Sequence, residues 1–205
     1  MPSTIYGIAK KNNDELYTPN IIIIPILKYF DIWKEKFIRN NKRNPIVLCP
    51  FDTKDSEFVL SFQKYNDIEL KYGHINNGQD FFTYDYGNFD IVISNPPFSQ
   101  KLKIFKRLDE LNKPWCMIIN TMILNYHEII DYFIENGTPE ILFLNKKVSY
   151  DGNPSSFISS YLCRNFLPQL IVCENVPHNN NGHKCIKSKM YNELLNNIYT
   201  DTLYT

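Results

Sequence analysis

The stretch that decides the fold is Phe89-Asp90-Ile91-Val92-Ile93-Ser94-Asn95-Pro96-Pro97-Phe98. Residues 90–94 form a short apolar run of the kind found in strands that are buried on both faces of a parallel sheet. The run stops at Asn95, and the two prolines after it have no backbone N–H with which to continue a central strand. We therefore predict a buried strand over residues 90–94, followed by a rigid turn.

Short apolar runs alternate with amphipathic segments on both sides of this strand, from Ile46 onward. Such alternation is typical of strands joined by crossover helices. It predicts an α/β protein with a Rossmann-like, doubly wound, mainly parallel sheet that carries helices on both faces. The predicted strands cover residues 46–50, 68–72, 90–94, 115–120, 140–144 and 170–174.

Helices are expected before, between and after these strands. Thr18-Pro19 is typical of a cap followed by proline in the first helical turn, and Pro25 should kink or restart that helix. Ser56 is a possible cap for a helix that carries Phe58, Phe62 and Tyr65. Further helices are predicted over residues 102–111, 122–136 and 186–198.

Length and composition favour one packed domain. The chain has 205 residues, of which 43% are hydrophobic and 15% aromatic, which argues against disorder. We assign residues 1–175 to the main domain and residues 176–205 to an asparagine-rich C-terminal extension. No apolar run is long enough for a transmembrane helix, and the first residues lack the pattern of a signal peptide.

The five cysteines are scattered and odd in number, which predicts reduced thiols and a cytoplasmic protein. Cys49, Cys116 and Cys173 lie in strand-like runs, where we expect them to act as small hydrophobic residues. Four possible zinc ligands occur near the C-terminus, but their spacing matches no common finger, so we predict no metal site. These are Cys173, His178, His183 and Cys185.

The chain carries 22 basic and 22 acidic side chains, which is unusual for a protein that grips a long stretch of nucleic acid. The basic residues are nevertheless clustered. Either cluster taken alone could be a solvated helix face, but the second one directly follows the proline turn. The first comprises Lys34, Lys36, Arg39, Lys42 and Arg43, and the second Lys101, Lys103, Lys106 and Arg107.

The proline turn has the chemistry needed to hold a planar amine. The Asn95 side chain and the Pro96 carbonyl are hydrogen-bond acceptors, and Phe98 offers a ring on which a base can stack. The fixed φ of Pro96 and Pro97 keeps the turn in shape. The alternative interpretation is an ordinary loop, because Asn and Pro are common turn residues.

Ligands of parallel sheets bind at the carboxyl ends of the strands. That rule brings Asn95 to one edge together with three other segments, and we select Asp52 as the residue that holds the charged end of a cofactor. Glycine-rich phosphate-binding loops are missing from the chain. The three segments are Pro50-Phe51-Asp52, His74-Ile75-Asn76 and Asp80-Phe81-Phe82.

Between Tyr17 and Glu174 the chain resembles the EcoRI-type adenine-specific DNA methyltransferases, which include many small phage-encoded members. The resemblance rests on Tyr17-Thr18-Pro19, Pro50-Phe51-Asp52, Asp80-Phe81 and Asn95-Pro96-Pro97-Phe98. It implies the class I methyltransferase fold, S-adenosylmethionine as cofactor and a flipped-out adenine of DNA as substrate. The resemblance leaves the biological role open among restriction protection, regulation and phage self-modification.

The resemblance also implies a role for each matching residue. Asp80 would accept a hydrogen bond from the cofactor's adenine and Phe81 would pack on the purine, while Tyr17-Thr18-Pro19 would reach over the methionine end. The implied catalytic residues are Asn95, Pro96, Pro97 and Phe98. The implied cofactor-binding residues are Tyr17, Thr18, Pro19, Pro50, Phe51, Asp52, Asp80, Phe81 and Asn95.

Two alternatives stay open at this point. Related turns methylate RNA bases, cytosine or protein glutamine, because each of these substrates presents an NH₂ group on a planar carbon. A catalytically inactive relative that binds DNA or inhibits another protein is the second alternative. Only about 110 residues follow the motif, so a partner or a second subunit is a possible source of target recognition.

Overall fold

The computed structural model describes residues 18–97, 99–145, 147 and 158–174. Tyr17, Phe98, His178, His183, Cys185 and the whole predicted extension over residues 176–205 lie outside the described residues. The described helices are α1 (Asn20–Asn41), α2 (Glu57–Phe62), α3 (Lys101–Glu110) and α4 (His127–Asn136). The described strands are β1 (Ile46–Cys49), β2 (Glu69–Tyr72), β3 (Ile91–Ser94), β4 (Trp115–Asn120), β5 (Glu140–Leu144), β6 (Ser159–Arg164) and β7 (Ile171–Glu174).

The described strands form one mixed sheet in the order β2-β1-β3-β4-β6-β5-β7. Every neighbouring pair is parallel except the two that involve β6, which runs antiparallel to β4 and to β5. After β1 the chain adds β2 on one side, and it then returns to add β3 on the other. The carboxyl ends of β1 and β3 therefore flank the point where the winding reverses, which is where open α/β sheets bind their ligands.

Helices cover both faces of the sheet, and the strand residues alternate between the two cores. Val47 and Ile93 belong to the core that includes buried residues of α1 and α2. Leu48 and Val92 belong to the opposite core, with buried residues of α3 and α4. This arrangement confirms the predicted α/β fold with a mainly parallel sheet and helices on both faces.

All six predicted strands are present, and each boundary lies within one residue of the prediction. Strand β6 was not predicted from the sequence. Its sequence, Ser-Ser-Tyr-Leu-Cys-Arg, begins with two serines that look polar in the sequence, yet Ser159 and Ser160 are buried in the folded chain. Ser160 pairs its hydroxyl with the Thr121 hydroxyl at 2.7 Å, which satisfies a polar group that would otherwise be costly to bury.

The helix predicted over residues 122–136 is divided in two. A 3₁₀ turn over Thr121–Asn125 comes first, and the Asn120 side chain caps it by accepting from the Met122 N–H at 3.0 Å. Tyr126 then has extended backbone angles before α4 begins. The cap and the extended residue explain why the segment does not form one continuous helix.

Helix α1 runs for 22 residues through Pro25, so the helix does not restart at this proline. Pro25 is buried on the same side as Ile22 and Ile26, and this packing offsets the loss of one backbone hydrogen bond. Pro19 takes the N-cap position and not the first helical turn. In the described part of the chain no helix, α1 included, is long and apolar enough to cross a membrane.

Two of the three strand cysteines behave as predicted. Cys49 and Cys116 are completely buried, as is Cys163 in β6. Cys173 is exposed on the edge strand β7, so the expectation that it acts as a core residue is wrong. An edge strand covered on one face only leaves alternate residues in contact with solvent.

Candidate active site

A cleft with a volume of about 320 Å³ opens at the carboxyl ends of β1, β2 and β3. That size is in the range of small-molecule sites. The cleft brings together nine of the predicted site residues, whereas Pro19 does not line it. The nine are Thr18, Pro50, Phe51, Asp52, Asp80, Phe81, Asn95, Pro96 and Pro97.

Asp52 lies just beyond β1 and is buried, with 4% of its surface exposed. Its carboxylate accepts a hydrogen bond from the Ser94 hydroxyl at the end of β3. Burial raises the pKa of Asp52 to about 6, although hydrogen bonds from Ser94, Ser56 and the Asn95 backbone lower it. The site therefore holds a carboxylate that is ionised at neutral pH but poorly solvated.

Ser94 connects the two halves of the cleft. While its hydroxyl donates to Asp52, its oxygen accepts from the Phe51 N–H at 3.3 Å. Ser94 is completely buried and directly precedes Asn95. The loop after β1 and the turn after β3, which both line the cleft, are thereby tied together.

Aromatic rings form one wall of the cleft. The ring centroids of Phe51 and Phe81 lie 4.9 Å apart with an interplanar angle of 61°, and Phe82 follows at 5.7 Å from Phe81. The ammonium group of Lys103 lies 3.9 Å from the Phe82 ring centroid. Flat apolar surfaces of this kind suit a purine or another planar ring.

The loop that carries Asp80 is held from two sides. Asp80 accepts from the Phe82 N–H through its carboxylate at 3.0 Å and from the Tyr84 N–H through its carbonyl at 2.7 Å. The Tyr86 hydroxyl donates to the Gln79 carbonyl at 2.9 Å and lies 3.4 Å from the Pro50 carbonyl. These bonds fix Asp80 and its aromatic neighbours relative to the loop after β1.

Close packing around Tyr86 requires glycine at position 73. A Cβ atom added to Gly73 would lie only 2.7 Å from Cε1 of Tyr86 and 2.8 Å from its hydroxyl. Gly73 also donates its N–H to Cys49 and accepts from the Asp52 N–H, at 3.1 and 3.0 Å. The residue thus joins the ends of β1 and β2 and binds the backbone of Asp52.

The turn after β3 contributes Asn95, Pro96 and Pro97 to the cleft. Pro96 is buried, and the other two are half-buried. Since both prolines have a fixed φ, the carbonyl groups of this turn keep their positions without a ladder of backbone hydrogen bonds. The turn therefore presents hydrogen-bond acceptors from a rigid support.

Several lining residues, among them Ser56, Gln100 and Lys103, were not predicted as catalytic or cofactor-binding residues. Ser94, which is buried behind the cleft wall and donates to Asp52, was not predicted either. His74 and Ile75 line it after β2, whereas Asn76 does not. The His74 side chain accepts from the Asn76 N–H at 3.2 Å, which caps a short 3₁₀ turn. Its position at the end of β3 was the only sequence signal for Ser94. At that strand end, the prediction named Asn95 and not Ser94.

The two basic clusters differ in their surroundings. In the first, Lys34 pairs with Asp67 at 2.5 Å and Arg43 makes two bonds of 2.7 Å to Asp90. Arg43 and Asp90 lie next to the amino ends of β1 and β3, on the edge opposite the cleft. In the second cluster, Lys103 lines the cleft itself. Only the second cluster is therefore close to the candidate site.

Comparison with known proteins supports the fold. No protein-family model matches the sequence, and no curated protein matches it. The methyltransferase subunit of a type I restriction-modification system from Streptococcus thermophilus superposes with a TM-score of 0.51 at 12% identity, covering 91% of this chain and 53% of that subunit. A Listeria monocytogenes protein assigned to the class I S-adenosylmethionine-dependent methyltransferases gives 0.50 at 12% identity, covering 96% of this chain and 74% of that one.

This chain has the class I methyltransferase fold. The fold expected from the sequence is thereby confirmed. The chain spans about half the length of the streptococcal subunit, and 12% identity is informative about fold alone. The activity of the chain is therefore inferred from the residues of the cleft.

Proposed function

We propose that this protein transfers a methyl group from S-adenosylmethionine to the exocyclic amine of adenine in DNA. One observation carries the proposal: a single cleft contains Asp52, the aromatic pair Phe51 and Phe81, and the turn that begins at Asn95. The streptococcal neighbour is a subunit of a restriction-modification system and thus agrees with DNA as the substrate, while the case for methyl transfer rests on the cleft residues.

The cleft residues fit a ligand that has a cationic end and a purine end. Asp52 would hold the ammonium group, because a nearby positive charge favours the ionised form of a poorly solvated carboxylate. Phe51 and Phe81 would contact the purine, and Asp80 would accept from its amino group. When bound, S-adenosylmethionine supplies an electrophilic methyl group.

The turn after β3 would align the amine that is to be methylated. The amine of adenine is a weak nucleophile because its lone pair is conjugated with the ring. Two acceptors, the Asn95 side-chain oxygen and the Pro96 carbonyl, would orient its hydrogens and stabilise the positive charge that develops on nitrogen. A proton then leaves to solvent, and no buried base is needed.

Substrate access requires the base to leave the helix. The amine of a paired adenine lies inside the duplex, where the cleft residues cannot reach it. We infer that the base rotates into the cleft next to Asn95, or that the protein acts on single strands.

The experiment is a methyl-transfer assay with labelled S-adenosylmethionine and, in parallel, DNA, RNA and protein acceptors. We expect label in DNA as N6-methyladenine. Asn95→Ala should reduce transfer at least a hundredfold and leave cofactor affinity nearly unchanged, since it removes an orienting acceptor. Asp52→Ala should act mainly by weakening cofactor binding, as measured by calorimetry.

Three outcomes would contradict the proposal. Label in RNA or protein but not in DNA would reject the substrate, and a lack of cofactor binding by the folded wild-type protein would reject the activity. Equal loss of cofactor affinity in the two variants would contradict the separate roles of Asp52 and Asn95.

A further inference from the structure

A second groove lies beside the cleft, on the surface formed by the start of α3 and the first turn of α4. Its volume is about 430 Å³, and it is lined by Gln100, Lys101, Leu102, Lys103, Lys106 and Glu128. Gln100 and Lys103 line the cleft as well. The two depressions are therefore adjacent, and they share these two residues just after the turn that holds Asn95, Pro96 and Pro97.

The groove concentrates positive charge on a chain whose formal net charge is zero. Among the described residues that line the groove, three are lysines and one, Glu128, is acidic. Lys103 and Lys106 are exposed, and their ammonium groups lie 3.9 and 5.8 Å from the ring centroids of Phe82 and Tyr132. Arg107 differs, because it points to Glu110 at 3.3 Å and does not line the groove.

We propose that this groove, called here the lysine groove, binds the phosphodiester backbone of the DNA strand that carries the target adenine. The inference rests on the proposed function in one respect, the position of the base beside Asn95. A base held in the cleft remains attached to its own backbone, so its flanking phosphates must lie on a surface next to the cleft. Lysine ammonium groups are effective phosphate ligands, and Leu102 offers apolar contact to the sugars.

The size of the effect follows from counterion release. Each phosphate neutralised on duplex DNA contributes about 0.9 to the slope of log affinity against log salt concentration. Three lysines can therefore account for a slope of about 3. Such binding is weak and independent of sequence, and it would hold the strand in place next to the cleft.

The test compares two double variants that lose the same charge. Lys101→Gln/Lys106→Gln removes two of the three positive charges that line the lysine groove. It leaves Lys103, which also lines the cleft. Lys36→Gln/Lys64→Gln removes two exposed lysines of α1 and of the segment after α2 and is the matched control. Binding to a short fluorescein-labelled DNA duplex is measured by anisotropy over a range of salt concentrations, and cofactor affinity by calorimetry.

We expect the groove variant to bind the duplex on the order of tenfold more weakly at moderate salt, with a salt slope smaller by about 2. The control variant should bind like the wild type, and both variants should keep their cofactor affinity. Glu128→Gln should tighten DNA binding a few fold, because it removes a negative charge that lines the groove.

The proposal is overturned if the groove variant binds like the wild type, or if the two double variants lose affinity equally. It is also overturned if polyglutamate binds the groove as tightly as DNA, which would point to an acidic protein partner. Failure of the proposed function gives a different result: DNA binding still depends on the lysine groove, but no methyl group is transferred.

Discussion

Burial of Asp52 disfavours the ionised form of its carboxyl group. A folded-state pKa of about 6, against an ordinary value near 4, means that the folded protein holds a proton more tightly than the unfolded chain does. The tighter proton binding stabilises the folded state. This stabilisation is fully present below about pH 4 and is lost as the pH rises through 6. At neutral pH the ionised carboxylate thus costs the fold about 3 kcal/mol.

Asp52→Asn should therefore stabilise the protein at pH 7.5 while it weakens cofactor binding. Asparagine keeps the shape and can still accept from Ser94, but it has no charge to desolvate. We expect the free energy of unfolding to rise by about 1–3 kcal/mol at pH 7.5 and to change little at pH 4. Urea denaturation at the two pH values measures this, and a destabilised variant at pH 7.5 would contradict it.

Ser94→Ala should have the opposite effect on stability. The change leaves the Asp52 carboxylate and the Phe51 N–H without their shared partner, which costs about 1–3 kcal/mol. It should also raise the pKa of Asp52 further, so that cofactor binding weakens and its pH dependence moves upward. Chemical denaturation and calorimetry across pH 5 to 8 test both effects.

Ser61→Ala is the matched control for Ser94→Ala. Ser61 is equally buried, in α2, but within the described structure its hydroxyl has no hydrogen-bond partner. Its removal should be neutral or slightly stabilising and should not affect cofactor binding. Similar losses in the two variants would mean that Ser94 has no special connection with Asp52.

At the scale of residues, the sequence was sufficient to predict site residues that follow directly after a strand. Asp52 and Asn95 each follow a predicted strand, and the rule for parallel sheets brings strand ends together. Ser94 was missed because its role depends on a contact with Asp52, 42 residues earlier in the chain. A local pattern carries no information on such a pair.

At the scale of elements, apolar runs were a good guide because most strands of this sheet are covered on both faces. β3 is buried at every residue, and β4 at all but its last, so their sequences contrast sharply with their surroundings. β6 is equally buried but contains two serines, and its insertion between β4 and β5 reverses the local direction of the sheet. Its place depends on pairing partners that are distant in sequence.

The loop between β2 and β3 should be sensitive to the size of residue 73. Gly73→Ala would push the Tyr86 ring away and loosen the segment that carries Asp80 and Phe81. We expect a loss of about 1–3 kcal/mol in stability, as for other cases of overpacking, together with weaker cofactor binding. Thermal denaturation and calorimetry are the measurements.

A double-mutant cycle separates this clash from other effects of the new methyl group. In a Tyr86→Ala background the same Gly73→Ala change meets no ring, so it should cost much less than in the wild type. Tyr86→Phe keeps the ring and removes the hydrogen bond to Gln79, and it is the control for the hydroxyl. Additive effects of Gly73→Ala and Tyr86→Ala would exclude the proposed contact.

At the scale of the whole molecule, α1 ties distant parts of the chain to the cleft. Its first residue, Asn20, donates to Glu57 at 3.0 Å, and the Ile22 carbonyl accepts from the Tyr161 hydroxyl at 2.8 Å. Lys28 and Tyr29 both contact Glu174 on β7. These bonds hold Thr18, which lines the cleft, in a fixed relation to the sheet.

Cofactor binding should consequently stabilise the whole fold, in a way that depends on pH. A ligand present at a hundred times its dissociation constant adds about 2.7 kcal/mol, which for a domain of this size raises Tm by roughly 5–10 °C. We expect this shift with S-adenosylmethionine at pH 8. At pH 5 a protonated Asp52 no longer attracts a cation, so the shift should be smaller.

Asn95→Ala should retain the shift in Tm, and Asp52→Asn should lose it at both pH values. An equal shift at both pH values in the wild type, unaffected by Asp52→Asn, would mean that the cofactor binds outside this cleft.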